Sequence, residues 1–461
     1  MYLFDNIKLE DEFFNDLFRI LKINTVKSEK QDAAPFGSGI KSGLECILDI
    51  CKSYGFNTTN LDNYIGYAEY KNEDSEDYVG VLGHIDVVPV GSGWDTDPFS
   101  PVIKEGKLYA RGAVDDKGPL FASLYALKLL KDSDIKLSKN VRIIFGTNEE
   151  SGTEDIDYYL EREKPPVLCF TPDAYFPIVT SEKGILTFEL THKVSPSEKY
   201  KLEYIKGGKK SNIVPDICEV KISFKDKSFL NNFNNEDLNK VYNIETLENE
   251  DSILIKSFGK SAHASTPEEG DNAVCKMMEY LYKVLNFNDD FTVFLKDFNN
   301  LIGRGYNGEN LEINFEDEES GKLTMNLGIV NGDSEEIRMR FNVRYPVTID
   351  FKEIVKKVEE KVNLSTLNFI MGNHNYPLHF PKDHNLIKSL KKAYEETFKK
   401  EAKLLASGGG TYAKLMPNTV AFGPLNEGDP DLAHQKNEYI EINQLKECVE
   451  AYARAIYELA K

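Results

Sequence analysis

The chain has 461 residues, 41% of them apolar and 29% charged, a globular composition with length enough for two or three domains. Its 76 acidic and 56 basic side chains leave a net charge of -20, which excludes nucleic acid and anionic membrane as main partners. No uninterrupted apolar segment has membrane-spanning length, the start Met1-Tyr-Leu-Phe-Asp-Asn lacks the basic and apolar regions of a leader, and the six cysteines form no CxxC pair. The expectation is a cytoplasmic protein with neither a disulfide framework nor a structural zinc knuckle.

Residues 1 to about 60 read as helical: Leu17, Ile20 and Leu21 fall at helical spacing, and so do Leu44, Ile47 and Leu48. The apolar run 79–82 predicts a buried strand. It ends at Gly83, with His84 and Asp86 directly behind. A neutral imidazole there can bind a divalent metal, and a carboxylate two residues on can hold the ring in one tautomer. A lone histidine beside a strand is more often structural, so the reading depends on what other strand ends carry.

A turn-rich loop over 91–101, with the single tryptophan, leads to a predicted hairpin over 103–110 that turns at Glu105-Gly106. Arg111-Gly-Ala-Val-Asp-Asp-Lys-Gly follows. Pro119 suits a first helical position, and the segment 120–130 is apolar nearly all round, as a buried helix is. Asp115 and Asp116 thus precede a core helix, where capping competes with metal binding as their role. The strand 141–145 runs into Glu149 and Glu150, and the strand 167–170 runs into Asp173. Three strands therefore each end in a metal-competent residue. With helices between strands, a mainly parallel sheet would gather them at its carboxyl end.

The rhythm changes after Gly184. Cys218, Val220, Ile222 and Phe224 alternate with polar neighbours. A hairpin is predicted from 323–329 and 337–343 around Asn331-Gly332, its second strand facing Arg338, Arg340, Asn342 and Arg344 away from the core. An α+β domain over 185–380, inserted in an α/β domain of residues 1–184 and 381–461, accounts for this. The α/β rhythm resumes near Asp383. Gly408, Gly409 and Gly410 mark either a flexible loop or backbone brought close to a ligand. The loop after the strand 419–422 holds His434, and an amphipathic helix closes the chain.

Two divalent cations a few Å apart repel, so a shared carboxylate is the usual remedy; each also needs further N or O ligands and an open position. Asp115 is the candidate bridge, with two histidines and two further carboxylates around it. A hydrolase also needs a base that is not a ligand, and Glu149 beside Glu150 fits.

Gly83-His84-Ile85-Asp86, the Arg111–Gly118 segment, Glu149-Glu150, Thr171-Pro-Asp173 and the late His434 resemble, in order and spacing, the motifs of the M20 family of di-metal peptidases, most closely the PepV-type bacterial dipeptidases. The resemblance implies a zinc-peptidase-like α/β catalytic domain with a mixed, mainly parallel sheet, and a lid formed by the inserted α+β domain. It implies that His84 and Asp173 hold one metal, Glu150 and His434 the other, and that Asp115 bridges them. Asp86 would orient His84, and Glu149 would act as general base on a water between the metals. A cis peptide after Asp115 is also implied. In the lid, His263 would stabilise the oxyanion, while Asn212 and Arg344 would hold the C-terminal carboxylate of a dipeptide; a guanidinium fork suits that group. Zn²⁺ fits the two sites, with Mn²⁺ or Co²⁺ as alternatives. The long insert implies a monomer. An N-acyl-amino-acid deacylase is the alternative enzyme, and a non-catalytic peptide binder the alternative of another class.

Overall fold

The computed structural model describes Phe4, Asp5 and residues 7–133, 135–285 and 287–461; residues 1–3 and 6, in the stretch read for a leader, lie outside these. The chain divides into two compact units. The first comprises the residues up to Ser181, His379–Ala406 and Gly410–Lys461; the second is Glu182–Leu378 together with Ser407–Gly409.

The first unit opens with α1 (Asp11–Leu21) and α2 (Ser38–Ser53), which bury the residues whose spacing predicted them. Residues 22–37 between them form turns and bridges, not helix, since Pro35 and Gly37 interrupt a polar stretch without apolar period. Then come β1 (Asn57–Leu61), β2 (Ile65–Tyr70) and β3 (Tyr78–His84), the last buried throughout. β4 (Val102–Lys104) and β5 (Lys107–Tyr109) form the expected hairpin. Glu105 and Gly106 both have positive φ, as a tight two-residue turn requires. α3 (Lys117–Lys131) begins before the predicted start, so Pro119 is its third residue. β6 (Asn140–Gly146), α4 (Glu154–Leu160), β7 (Leu168–Thr171) and β8 (Ile178–Glu182) follow.

The second unit contains β9 (Gly184–Lys193), β10 (Tyr200–Gly207), β11 (Ile217–Phe224), α5 (Glu236–Tyr242), β12 (Ile244–Glu248) and β13 (Ser252–Phe258). It continues with α6 (Ala273–Val284), α7 (Asp290–Leu301), β14 (Thr324–Gly332), β15 (Glu336–Tyr345), α8 (Phe351–Val362) and β16 (Asn368–Asn375). Its sheet is antiparallel, in the order β12-β13-β11-β10-β14-β15-β9-β16. The alternating burial of β11 matches its sequence pattern. The β14–β15 turn lies at 333–335, past Asn331-Gly332, because both of those residues are paired in the ladder. β15 alternates as predicted only as far as Phe341; Asn342 and Arg344 are buried.

The chain returns to the first unit with α9 (Asn385–Phe398), β17 (Thr419–Ala421), β18 (Tyr439–Glu441) and α10 (Ile442–Ala460). The order in the main sheet runs β1-β2-β6-β3-β7-β17-β8. The four strands β6, β3, β7 and β17 are parallel, but β1, β2 and β8 pair antiparallel, so the sheet is mixed and parallel only in its middle. α3 and α10 pack on each other and bury most of their residues. Each unit has its own apolar core.

Candidate active site

The parallel strands deliver the site. β3 ends on His84, whose ring is fully buried. Its Nδ1 lies 2.9 Å from the Asp86 carbonyl oxygen and 3.5 Å from Asp86 Oδ1. The carboxylate of Asp86 is otherwise engaged: Oδ1 accepts from the Glu149 N–H and Oδ2 from the Glu150 N–H, both at 3.1 Å. Asp86 therefore meets the ring with its carbonyl and, at 3.5 Å, with its carboxylate, and hangs the turn after β6 on that carboxylate.

His84 Nε2 is 3.0 Å from Asp115 Oδ1 and 3.7 Å from Asp173 Oδ2, yet makes no hydrogen bond. The other Asp115 oxygen, Oδ2, is 3.2 Å from His434 Nε2, which lies 3.0 Å from Glu150 Oε2. Asp115 thus turns one oxygen to each imidazole. Donor atoms of His84, Asp115 and Glu150 all lie within 4.8 Å of one another. A buried ring nitrogen without a hydrogen bond, ringed by carboxylate oxygens, fits a divalent cation, and so does the N/O donor set.

Asp116 stands at the N-cap of α3, but its side chain accepts no hydrogen bond from the helix. Its Oδ2 instead accepts from the His84 N–H at 3.1 Å. Gly83 makes room for this: a Cβ there would stand 2.1 Å from Asp116 Oδ2. The Asp115-Asp116 peptide is cis.

Charge crowding sets the proton affinities. Burial pushes Glu149 up to about 8; Glu150, Asp86 and Asp115 add repulsion against the pull of His84. Burial alone would lower His84, but Asp115, Asp86 and Asp173 raise it well above the usual imidazole value. Asp115 and then Glu150 raise His434 to about 10. Burial would raise Asp115, but the two imidazoles hold it well below the carboxylate range.

Two supports of the site have no motif in the sequence. Glu438, fully buried, pairs with Arg111 Nη1 at 2.7 Å and accepts from the N–H groups of Gly112, Val114 and Asp115. Four residues beyond His434, it fastens the Asp115 loop to the His434 loop. Asp155 Oδ2 accepts from Thr147 N and Asn148 N, at 2.7 and 3.1 Å, and from the Tyr412 hydroxyl; the Tyr412 ring stands edge-on to His84. In sequence Asp155 reads as an ordinary first-turn helix acid, and Glu438 as one surface acid among many.

In the second unit, Asn212 lies in a turn before β11, and its carbonyl accepts from Ala264 N at 3.0 Å. Ile213 and His263 form a β-bridge, and His263 Nδ1 is 2.6 Å from Ser265 Oγ. Arg344 is 5% exposed, whereas the side chains of Arg338 and Arg340 are 56% and 53% exposed. Its Nε donates to Asn342 Oδ1 at 2.8 Å and its Nη1 to the Gly408 carbonyl at 3.0 Å. With Lys183 N donating to Ser407 O, that contact explains why Ser407–Gly409 belongs to the second unit and not to the segment 381–461. Burial lowers Arg344 to about 10, so it stays cationic at neutral pH. His192, His374, His379 and His384, which match no motif, have structural partners: Asp290, Tyr345, Ser181 and the N-terminus of α9.

The sequence model of the peptidase family M20/M25/M40 matches residues 80–458. A curated relative, "Putative dipeptidase YtjP" of Bacillus subtilis (strain 168), is 39% identical over 464 residues, 99% of this chain and 98% of its own. Another, "Putative dipeptidase SH1171" of Staphylococcus haemolyticus (strain JCSC1435), is 33% identical over 460 residues, 98% of this chain and 97% of its own. Among solved structures, human carnosine dipeptidase 1 has a TM-score of 0.59 at 16% identity, covering 98% of this chain and 96% of that one, a likeness of fold. The family match begins within β3, passes through His84, Asp115, Glu149, Glu150, Asp173 and His434, and ends within α10; the chain belongs to peptidase family M20/M25/M40 and is a hydrolase.

Proposed function

We propose that the protein is a metal-dependent dipeptidase that loads two divalent cations. In this reading His84 and Asp173 hold one, Glu150 and His434 the other, and Asp115 is shared. The observation that carries it is the split of the Asp115 carboxylate, Oδ1 toward His84 at 3.0 Å and Oδ2 toward His434 at 3.2 Å. Zn²⁺ suits the imidazole and carboxylate donors, and Mn²⁺ or Co²⁺ can replace it. Bound divalent cations supply Lewis-acid polarisation of the scissile carbonyl and of the attacking water, and their charge draws the Glu149 pKa back below about 8.

Glu149 takes a proton from water as the new C–O bond forms and delivers it to the amine nitrogen as the C–N bond breaks. Asp86 holds Glu149 and Glu150 by consecutive amides, so that one side chain serves as ligand while its neighbour handles the proton. In the second unit, His263 donates to the developing oxyanion, and Asn212 with Arg344 binds the substrate's C-terminal carboxylate. A buried guanidinium that stays charged supports that role, since a carboxylate would neutralise it. No helix among the described residues is long and apolar enough to cross a membrane. All six cysteines are free, which supports a reducing compartment, and the long insert supports a monomer.

The test is amino-acid release from a plain dipeptide and from its N-acetylated form, on metal-stripped protein before and after addition of Zn²⁺ or Mn²⁺. Metal-dependent cleavage of the free dipeptide alone is expected. Cleavage of only the acetylated form would move the protein to the deacylases, and no cleavage with any metal would leave a peptide binder.

A further inference from the structure

The turn that carries Asn212 is held by a side chain outside every motif. Asn326, on β14, is 2% exposed. Its Nδ2 donates to the Ser211 carbonyl at 2.9 Å and to the Ile213 carbonyl at 3.0 Å, the two carbonyls that flank Asn212. Behind it, Asn272 Nδ2 lies 3.4 Å from Asn326 Oδ1 and donates to the Leu327 carbonyl at 2.8 Å. Asn272 is itself the N-cap of α6, its Oδ1 accepting from Val274 N and Cys275 N. A buried relay of two amides thus ties the Asn212 turn to a strand and to a helix start.

The side-chain chemistry is specific. A primary amide offers two N–H groups to two carbonyls; a hydroxyl offers one and a carboxylate none. The strand also accommodates the turn closely. At Gly328 a Cβ would stand 2.3 Å from the Ser211 carbonyl oxygen and 2.5 Å from Ser211 Cα. On its other side the turn pairs with the His263 segment, through the Ile213–His263 bridge and the bond from Ala264 N to Asn212 O.

We infer that Asn326 is a positioning residue for substrate binding: it fixes where the Asn212 side chain stands for the substrate carboxylate, without touching substrate itself. This rests on the reading of Asn212 given above. Removing such a support weakens ground-state and transition-state binding alike, so it raises KM and spares kcat.

The experiment is a double-mutant cycle in the metal-loaded full chain, with steady-state kinetics on a dipeptide for Asn212→Ala, Asn326→Ala and the double variant. Each single change is expected to raise KM about tenfold, on the scale of one lost hydrogen bond to a charged group, with kcat within about threefold. In the Asn212→Ala background, Asn326→Ala is expected to change KM less than about twofold, because the two act through one contact. Gly328→Ala, which leaves the Asn326 amide in place but drives the Ser211 carbonyl away from it, is expected to share this pattern and serves if Asn326→Ala fails to fold. If Asn212→Ala raises KM while Asn326→Ala and Gly328→Ala do not, or if their effects persist undiminished in the Asn212→Ala background, the inference is overturned and the reading of Asn212 stands. An unchanged KM in Asn212→Ala overturns the reading of Asn212, and the inference with it.

Discussion

His434 has a φ of +64°, a conformation that non-glycine residues seldom adopt, and its ring is set between Asp115 and Glu150. Those carboxylates raise its pKa to about 10, so without metal it is an imidazolium at neutral pH. A ligand nitrogen must be free of its proton, so if His434 is the ligand proposed, loading has to expel one. Calorimetric metal titrations at pH 7.5 in buffers of different ionisation enthalpy should show at least one proton released per chain. Apparent affinity should rise with pH toward about 10, by roughly tenfold per pH unit for each proton expelled. Binding without proton release would remove His434 from the ligands. Glu149 behaves differently, since it is proposed to handle protons and bind no metal. Glu149→Gln should lower kcat by about 10² to 10⁴ and leave metal binding largely intact; a variant retaining a tenth of the activity would assign the base elsewhere.

At the scale of elements, the Arg111–Glu438 pair joins the loop before α3 to the loop before β18. Glu438→Gln would leave a guanidinium buried without its counter-charge, at a cost of about 3–5 kcal/mol. Chemical denaturation of the metal-free variant measures this, and a loss under 1 kcal/mol would show that the pair is not a structural fastener. This contact also marks the limit of what the sequence reveals. The strand ends and their metal-competent residues are legible because apolar runs stop abruptly at His84, Glu149, Glu150 and Asp173. Glu438 is not, since an acid held by four hydrogen-bond donors looks like any other acid until the fold brings Arg111 and the loop amides to it. The flanking antiparallel strands are not legible for a related reason: β1 is polar and nowhere fully buried, so it carries no apolar run. Arg344 misled in the opposite sense. Its spacing matches Arg338 and Arg340, but the strand's outer face becomes buried toward its end, and burial is a tertiary property.

For the whole molecule, each unit has an apolar core of its own, and every proposed metal ligand belongs to the first. Metal at about 1,000 times its Kd stabilises a folded state by about 4 kcal/mol. Calorimetry with and without chelator should therefore move one unfolding transition and leave that of the second unit in place. A single transition that moves as a whole would mean the two units unfold together.

The position of β17 has a consequence for how the protein is made. A strand translated after the whole insert lies between β7 and β8, which are translated before it. On the ribosome the sheet therefore waits with an open slot while more than two hundred residues emerge. Such distant pairing slows folding and leaves strand edges open to wrong partners. A nascent chain halted before residue 419 already carries His84, Asp115, Glu150 and Asp173 but lacks both the strand that closes the sheet and His434. Completion of the sheet and completion of the proposed metal site thus fall to the same late stretch of polypeptide, and a product truncated before it would be left with the acids of that site but not its second histidine.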